Sequence, residues 1–220
     1  MSQEYEVTKQ NKVRQLREKA AYDHATVHGV LDAGLVAGVG FIEDGNPVVV
    51  PMLYGRDGET IYLHGARKAR VIKLLEQTDK ACINVTLVDG LVYARSAFNS
   101  SMNYRSVTVF GTPRFVEDDA EKMHALKVIS DATLPDRWDE LREPHDKEIK
   151  MTGVIALPIE SASAKVSDKM PDDEEDDYSI PIWAGVLPLT STFGELVSDE
   201  RLVDGVAPSE IVRRLQGKTL

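Results

Sequence analysis

The chain has 220 residues, 42% of them apolar and 28% charged, an ordinary globular balance that excludes collagen-like and wholly disordered proteins. A net charge of −10 argues against nucleic acid and anionic membrane surfaces as partners, because both are met with Lys and Arg. The excess is local, since six consecutive carboxylates run from Asp172 to Asp177.

The single cysteine, Cys82, excludes an intramolecular disulfide framework and a multi-thiolate zinc site. It lies in a predicted buried strand and reads as a structural thiol. The apolar runs are short, and none approaches the ~20 residues that span a bilayer. The stretch up to Lys19 is charged and has no apolar signal core. A reducing cytoplasm is the expected compartment.

Residues 8–19 have apolar positions spaced by three and four, which predicts an amphipathic helix with a basic polar face. A second helix is expected over residues 23–34, with Asp23 as N-cap and Gly34 as stop. Residues 1–34 thus form a helical segment packed on the rest. Strands follow at 35–42 and 48–54, around the turn residues Glu43 to Pro47. Gly55 to Gly58 reads as another turn, and 60–64 as a third strand. Residues 68–77 form a helix buried through Val71, Ile72, Leu74 and Leu75. Strands at 81–88 and 91–98 flank Asp89-Gly90, a hairpin signal. Strands at 104–111 and 113–117 precede a helix over 118–130, whose acids Asp118, Asp119 and Glu121 sit near its positive end. The last clear strand is 152–159. Residues 168–179 read as a solvated acidic loop. The tail, 191–220, holds a short helix at 209–215 capped by Ser209.

Many short strands, tight turns and few helices predict a mainly β protein with flanking helices, built as an antiparallel barrel over residues 35–190. No Walker loop and no G-x-G-x-x-G after a strand is present.

Three segments offer chemistry. His64-Gly-Ala-Arg-Lys-Ala-Arg70 lies at a strand-to-helix junction, with four cations (Arg67, Lys68, Arg70, Lys73) and no acid between residues 60 and 75. A helix start with added cations suits a phosphate, and the alternative is a solvated helix face. Ser101-Met-Asn-Tyr-Arg-Ser106 packs donors and acceptors between strands and suits the edge of a heteroaromatic ring, or is an ordinary polar loop. Trp183 follows the acidic run, where an indole can cover a planar ligand or join a core. His24 and His28 are four apart on a helix, but no third ligand stands in register, and a structural or surface role is expected. His124 and His145 read as surface residues. No G-x-S-x-G motif is present.

Taken together, these segments resemble the pyridoxamine 5′-phosphate oxidase-like flavin-binding proteins, in the flavin-nucleotide-binding branch with nitroimidazole-reductase-like members. The resemblance rests on Gly45-Asn-Pro-Val-Val-Val-Pro51, Leu63-His-Gly65, Asp89-Gly-Leu-Val-Tyr-Ala-Arg-Ser96, Ser101-Met-Asn-Tyr-Arg-Ser-Val107, Ala164-Lys-Val166 and Trp183-Ala-Gly-Val-Leu-Pro188, with Tyr22-Asp23 and Leu31-Asp32 before them.

The resemblance implies an FMN-binding split barrel, a homodimer with FMN at the subunit interface, and a small-molecule substrate; FAD or haem is the less expected cofactor. Arg67, Lys68 and Arg70 would hold the phosphate, with backbone from Gly65 and Ala66. The family often has a hydroxyl where Ala66 stands. Val50, Pro51 and Met52 would present backbone to the ring. Ser101, Met102, Asn103, Tyr104, Arg105 and Ser106 would reach the ring edge or ribityl chain, with Arg105 first to stabilise a reduced anionic flavin. Trp183 would approach from the partner subunit. His64 matches a histidine near the flavin, and its titration range suits it to a catalytic role.

The expected function is an FMN-dependent oxidoreductase. A non-catalytic flavin- or haem-binding carrier or sensor is the alternative, with His64 or the His24/His28 pair as axial ligand. A third reading makes the acidic run a partner-binding surface. Otherwise that run forms a mobile loop at the rim of the site that screens anionic substrates.

Overall fold

A computed structural model describes residues 3–220. In chain order, β1 (Ala20–Ala21) and α1 (His24–Ala33) precede β2 (Val36–Glu43), β3 (Asn46–Asp57) and β4 (Thr60–Ala66). Then come α2 (Arg70–Gln77), β5 (Ala81–Tyr93), β6 (Ser101–Gly111), β7 (Arg114–Phe115) and α3 (Asp119–Thr133). The order closes with α4 (Asp146–Met151), β8 (Thr152–Pro158), β9 (Ser161–Ser167), β10 (Gly185–Pro188) and α5 (Glu210–Arg213). Among the described residues, no helix is long and apolar enough to cross a membrane. The chain forms two units, each drawn from three stretches of sequence.

The first unit takes residues up to Gly34, Cys82–Phe110 and Glu160–Thr190. Its strand order is β1-β9-β6-β5, with β10 also on β5. β9 runs antiparallel to β1 and β6, and β10 to β5. Its buried positions include Val27, Val30 and Leu31 of α1, Ile83, Val85 and Val92 of β5, and Val107 and Val109 of β6. α1 begins as expected: the Asp23 carboxylate accepts the Thr26 N–H at 2.8 Å, which also holds its pKa below the ordinary value. Gly34 ends it.

Expectations fail in this unit at residues 8–19 and at Asp89-Gly90, and the strand expected over 91–98 ends at Tyr93. Residues 8–19 are turns, with only a 3-10 turn at Arg17–Lys19. Asn11 is the reason: its Oδ1 accepts the Thr8 N–H at 2.7 Å, and its amide donates to Glu6 O and to the buried Ala162 O. The side chain thus takes up the backbone groups that a helix needs. Leu16 also has a left-handed backbone, φ 52°. Asp89-Gly90 is no hairpin either. β5 runs straight through it, because Gly90 pairs with Pro188 of β10 and Asp89 O accepts the Leu189 N–H. A Cβ at Gly90 would come within 3.1 Å of Leu187 O, so the glycine serves close strand approach.

The second unit takes Leu35–Ala81, Gly111–Ile159 and Ser191–Leu220. Its order is β2-β3-β4-β8-β7, antiparallel throughout. Asp44 and Gly45 turn β2 into β3 with positive φ at both positions, the backbone of a tight hairpin. β8 lies between β4 and β7 and is buried from Gly153 to Leu157. Tyr62, Val154 and Ala156 pack with Val116 and with Ala125 and Ile129 of α3. α3 lies so close on β3 that a Cβ at Gly55 would stand 2.7 Å from Val128 O. Ser209 caps α5 as expected, and Asp118, expected as the first residue of its helix, is instead the N-cap of α3. The hydrogen-bonded strand path of each unit is open at its ends, so neither unit closes a barrel through its ladders.

Candidate functional site

The strand-to-helix junction lies in the second unit. β4 carries His64, Gly65 and Ala66 to its end, paired with Val154, Gly153 and Thr152. Space is tight here: a Cβ on Gly153 would come within 2.7 Å of Ile72, and one on Gly65 within 3.2 Å. α2 starts at Arg70 with Ala69 as N-cap and no side-chain cap, and its first turn has no acid. Its first N–H groups thus lack the side-chain acceptor that commonly serves a helix start.

The four cations divide. Arg67 forks onto Glu76, with Nη1 donating at 2.9 Å and Nη2 at 3.0 Å, and lies 3.9 Å from the Phe115 ring centroid. Arg70 donates from Nε to Glu43 at 2.8 Å while 71% exposed. Lys68, exposed, and Lys73 form no ion pair among the described residues. Arg67 forks on Glu76, Arg70 likewise meets both Glu43 oxygens through Nε and Nη2 but from a more exposed position, and Lys68 is available.

His64 lines a cavity of about 330 Å³ with Leu53, Leu126, Ile129, Ser130, Thr133, Trp138 and Pro144. Its Nδ1 is buried and has no hydrogen-bond partner among the described residues. Burial pushes its pKa below the usual 6.5 and favours neutral imidazole. Nothing in the sequence connected Trp138 or Pro144 to His64, which they reach from beyond α3. The one available signal was that Trp138 is among only two tryptophans. Val50, Pro51 and Met52 lie on β3 opposite Val39, Gly38 and Ala37 of β2, with Pro51 exposed and the others half-buried.

The other predicted contacts lie in the first unit, on β6 and beyond. Asn103 is buried, and both ends of its amide are engaged by the Lys169 backbone, at 2.9 and 3.0 Å. It fastens a chain segment and has little left for a ligand. Arg105 forks onto Asp89 at 2.9 and 2.7 Å, and these bonds raise its pKa further. Its charge is thus already answered. Ser106 Oγ lies 2.8 Å from Thr86 Oγ1. Tyr104 is half-buried opposite Ser167. Ser101 and Met102 are exposed and line a cavity of about 190 Å³ with Lys19, Asn99 and Lys169. Lys19 donates to Ser167 Oγ at 2.9 Å.

Trp183 is 69% exposed and is not a core residue. The acidic run before it is not a free loop. Asp173 is buried and bound to Arg95, and Glu175–Ser179 form a 3-10 turn. Sequence reading missed this because a carboxylate among six reads as solvated, and Arg95 lies 78 positions away. His28 Nε2 lies 3.1 Å from the Tyr5 hydroxyl, and His24 stacks on the Tyr5 ring at 4.0 Å.

The family model described as pyridoxamine 5′-phosphate oxidase matches residues 23–166. The chain belongs to the pyridoxamine 5′-phosphate oxidase-like flavin-binding family. It is similar to the flavocytochrome Anf3 from Azotobacter vinelandii, at 37% identity over 96% of this chain and 98% of the other, with a TM-score of 0.90. It is also similar to an FAD and heme binding protein from Mycobacterium smegmatis, at 35% identity over 90% and 98%, with a TM-score of 0.86. A 5-nitroimidazole antibiotic resistance protein from Bacteroides thetaiotaomicron, so described provisionally, shares 27% identity over 67% and 86%, with a TM-score of 0.58. No curated protein matches the chain.

Proposed function

We propose that this protein is a flavin-dependent oxidoreductase of small molecules, with the flavin phosphate held at the start of α2. The observation that carries the reading is this helix start, which lacks a side-chain cap and first-turn acids and has the unpaired Lys68 beside it. Uncapped N–H groups and an ammonium suit a phosphate of either FMN or FAD. Arg70 can exchange Glu43 for that phosphate, since its own end of the pair is exposed and a pair open to water on one side costs little to part. Arg67, tied to Glu76 and Phe115, shapes the junction.

When bound, the flavin supplies hydride and electron transfer. Ring-facing roles for Ser101, Tyr104 and Trp183, and an orienting role for Arg105 through its fork on Asp89, are what the family resemblance implies, with Trp183 supplied by the partner subunit. Split-barrel architecture, a cytoplasmic site and a homodimer belong to the same reading. The homodimer is supported by β3, which exposes Val49 and Leu53 on one face while Val48 and Val50 are only half-buried on the other.

A second reading, a haem beside the flavin, is favoured by His64. A buried ring nitrogen without a partner costs about 1–3 kcal/mol and asks for a chemical reason. A neutral imidazole lining a mostly apolar cavity could hold a haem iron, which would supply electron-transfer chemistry there. Two relatives above 30% identity are described as a flavocytochrome and as an FAD and heme binding protein.

The absorption spectrum of the purified protein, followed by mass identification of released cofactor, tests both readings. Flavin absorbance with FMN or FAD released supports the first, and a Soret band lost in His64→Ala supports the second. Lys68→Met should weaken flavin binding about tenfold, the effect of one charge-assisted hydrogen bond. A protein that neither carries nor takes up flavin overturns the proposal.

A further inference from the structure

Arg95 lies two residues beyond the end of β5 and meets the acidic segment at two places. Its backbone N–H donates to Asp173 Oδ1 at 2.8 Å, and its Nη1 donates to Asp173 Oδ2 at 3.0 Å. The Asp173 side chain is 0% exposed. The Arg95 guanidinium also covers the Tyr178 ring, 4.9 Å from its centroid. Two residues back, Tyr93 meets the Trp183 indole with ring centroids 6.3 Å apart. Gly185 pairs with Tyr93 in the β5/β10 ladder, and a Cβ there would come within 2.9 Å of the indole. The indole thus rests on a bare glycine.

Only residues 179–182 separate Tyr178 from Trp183. That stretch is short and internally bonded, with Ile180 N–H donating to Asp177 O and Ile182 N–H to Ile180 O. Pro181 stiffens it. A shift of Tyr178 therefore passes to Trp183. The five other carboxylates of the run favour release, since like charges repel. The buried Arg95–Asp173 contact is screened by salt far less than that repulsion.

We propose that Arg95 is a positioning residue for Trp183: by holding Asp173 and Tyr178 it fixes where the indole stands over Gly185. The consequence for flavin binding rests on the reading of Trp183 as a cofactor-facing residue. The placement of the indole does not. A planar guanidinium is required, because it must donate from Nη1 to the carboxylate while its face covers the ring, which an ammonium cannot do at once.

The test uses the full chain with Trp138→Phe, which leaves Trp183 as the sole tryptophan. Arg95→Met, Arg95→Lys and Tyr178→Ala are made in that background and compared with it well below the melting temperature. Arg95→Met should raise acrylamide quenching of Trp183 about twofold and glutamate-specific cleavage at Glu174 and Glu175 about tenfold, the opening expected from one lost charged contact. Arg95→Lys should not restore either. Tyr178→Ala, which leaves Asp173 paired, should raise the quenching and keeps the test decisive if Arg95→Met does not fold. Unchanged quenching and cleavage in the folded variants overturns the proposal, as does full rescue by Lys. A displaced Trp183 with unaltered flavin affinity leaves the positioning role standing and overturns the cofactor contact of Trp183 instead.

Discussion

The start of α2 and the acidic segment before β10 are both runs of like charge, and the fold treats them in opposite ways. At the α2 start, Arg70 meets Glu43 while 71% exposed, and Lys68 meets no carboxylate. In the acidic segment, one carboxylate of six is fully buried against Arg95 while most of the others stay at the surface. An exposed pair gains little and parts readily, so its cation remains available to a ligand. A buried pair has lost its water and cannot part cheaply, so its members are given over to holding the chain. The difference separates a surface that can bind from a surface that is fastened.

The largest effect expected is at the fastened end. Asp173→Ala leaves Arg95 half-buried with its carboxylate gone and its Nε already without a partner. Breaking a buried pair in this way costs about 3 kcal/mol. Thermal or urea unfolding followed by circular dichroism should show that loss, while removing an exposed neighbour, Glu175→Ala, should shift stability by no more than about 0.5 kcal/mol. Equal effects at the two positions would mean that the run is uniformly solvated after all.

How much of this was legible depended on the range of each interaction. Short-range chemistry read well: Asp23 and Ser209 cap helices, and Asp44-Gly45 turns a hairpin, because each acts on backbone within three residues. Helix periodicity failed at residues 8–19, where the Asn11 side chain takes the backbone bonds a helix would need. Asp89-Gly90 carried the right turn residues, yet β10 arrives from almost a hundred positions away to pair with it. At the site, the sequence picked out the basic junction and His64. It could not say that Glu76 and Glu43 answer Arg67 and Arg70, or that Trp138 and Pro144 help to enclose His64. Charge composition shows which segments need partners, and only the fold shows which residues find them.

A smaller effect is expected at His64, and it appears as a slope with pH. Burial holds its folded pKa below the 6.5 of an exposed histidine. Between the two values the unfolded chain binds more protons, so stability rises with pH through that window. Above 6.5 both states are neutral and the contribution is complete; as pH falls toward the folded value it is lost. His64→Gln should flatten this part of the stability profile, measured by urea midpoints from mildly acidic to neutral pH. An unchanged slope would assign the dependence to another group.

The smallest effect is the most diagnostic of an available surface. Glu43→Gln removes the carboxylate that Arg70 meets without changing its shape. Stability should move by no more than about 1 kcal/mol, since Arg70 is open to water although Glu43 is largely covered. Flavin affinity should instead rise a few-fold, because Arg70 no longer has to leave a carboxylate to reach a phosphate, and attraction between exposed charges is modest in water. The gain should shrink as salt is added, since the phosphate contact is itself exposed. Fluorescence titration of the apoprotein with flavin at two ionic strengths reads both signs at once. A weaker affinity in Glu43→Gln would show that the Arg70–Glu43 pair orients the guanidinium for the phosphate and does not compete with it, and the start of α2 would then be fastened in the same way that Arg95 fastens the acidic segment.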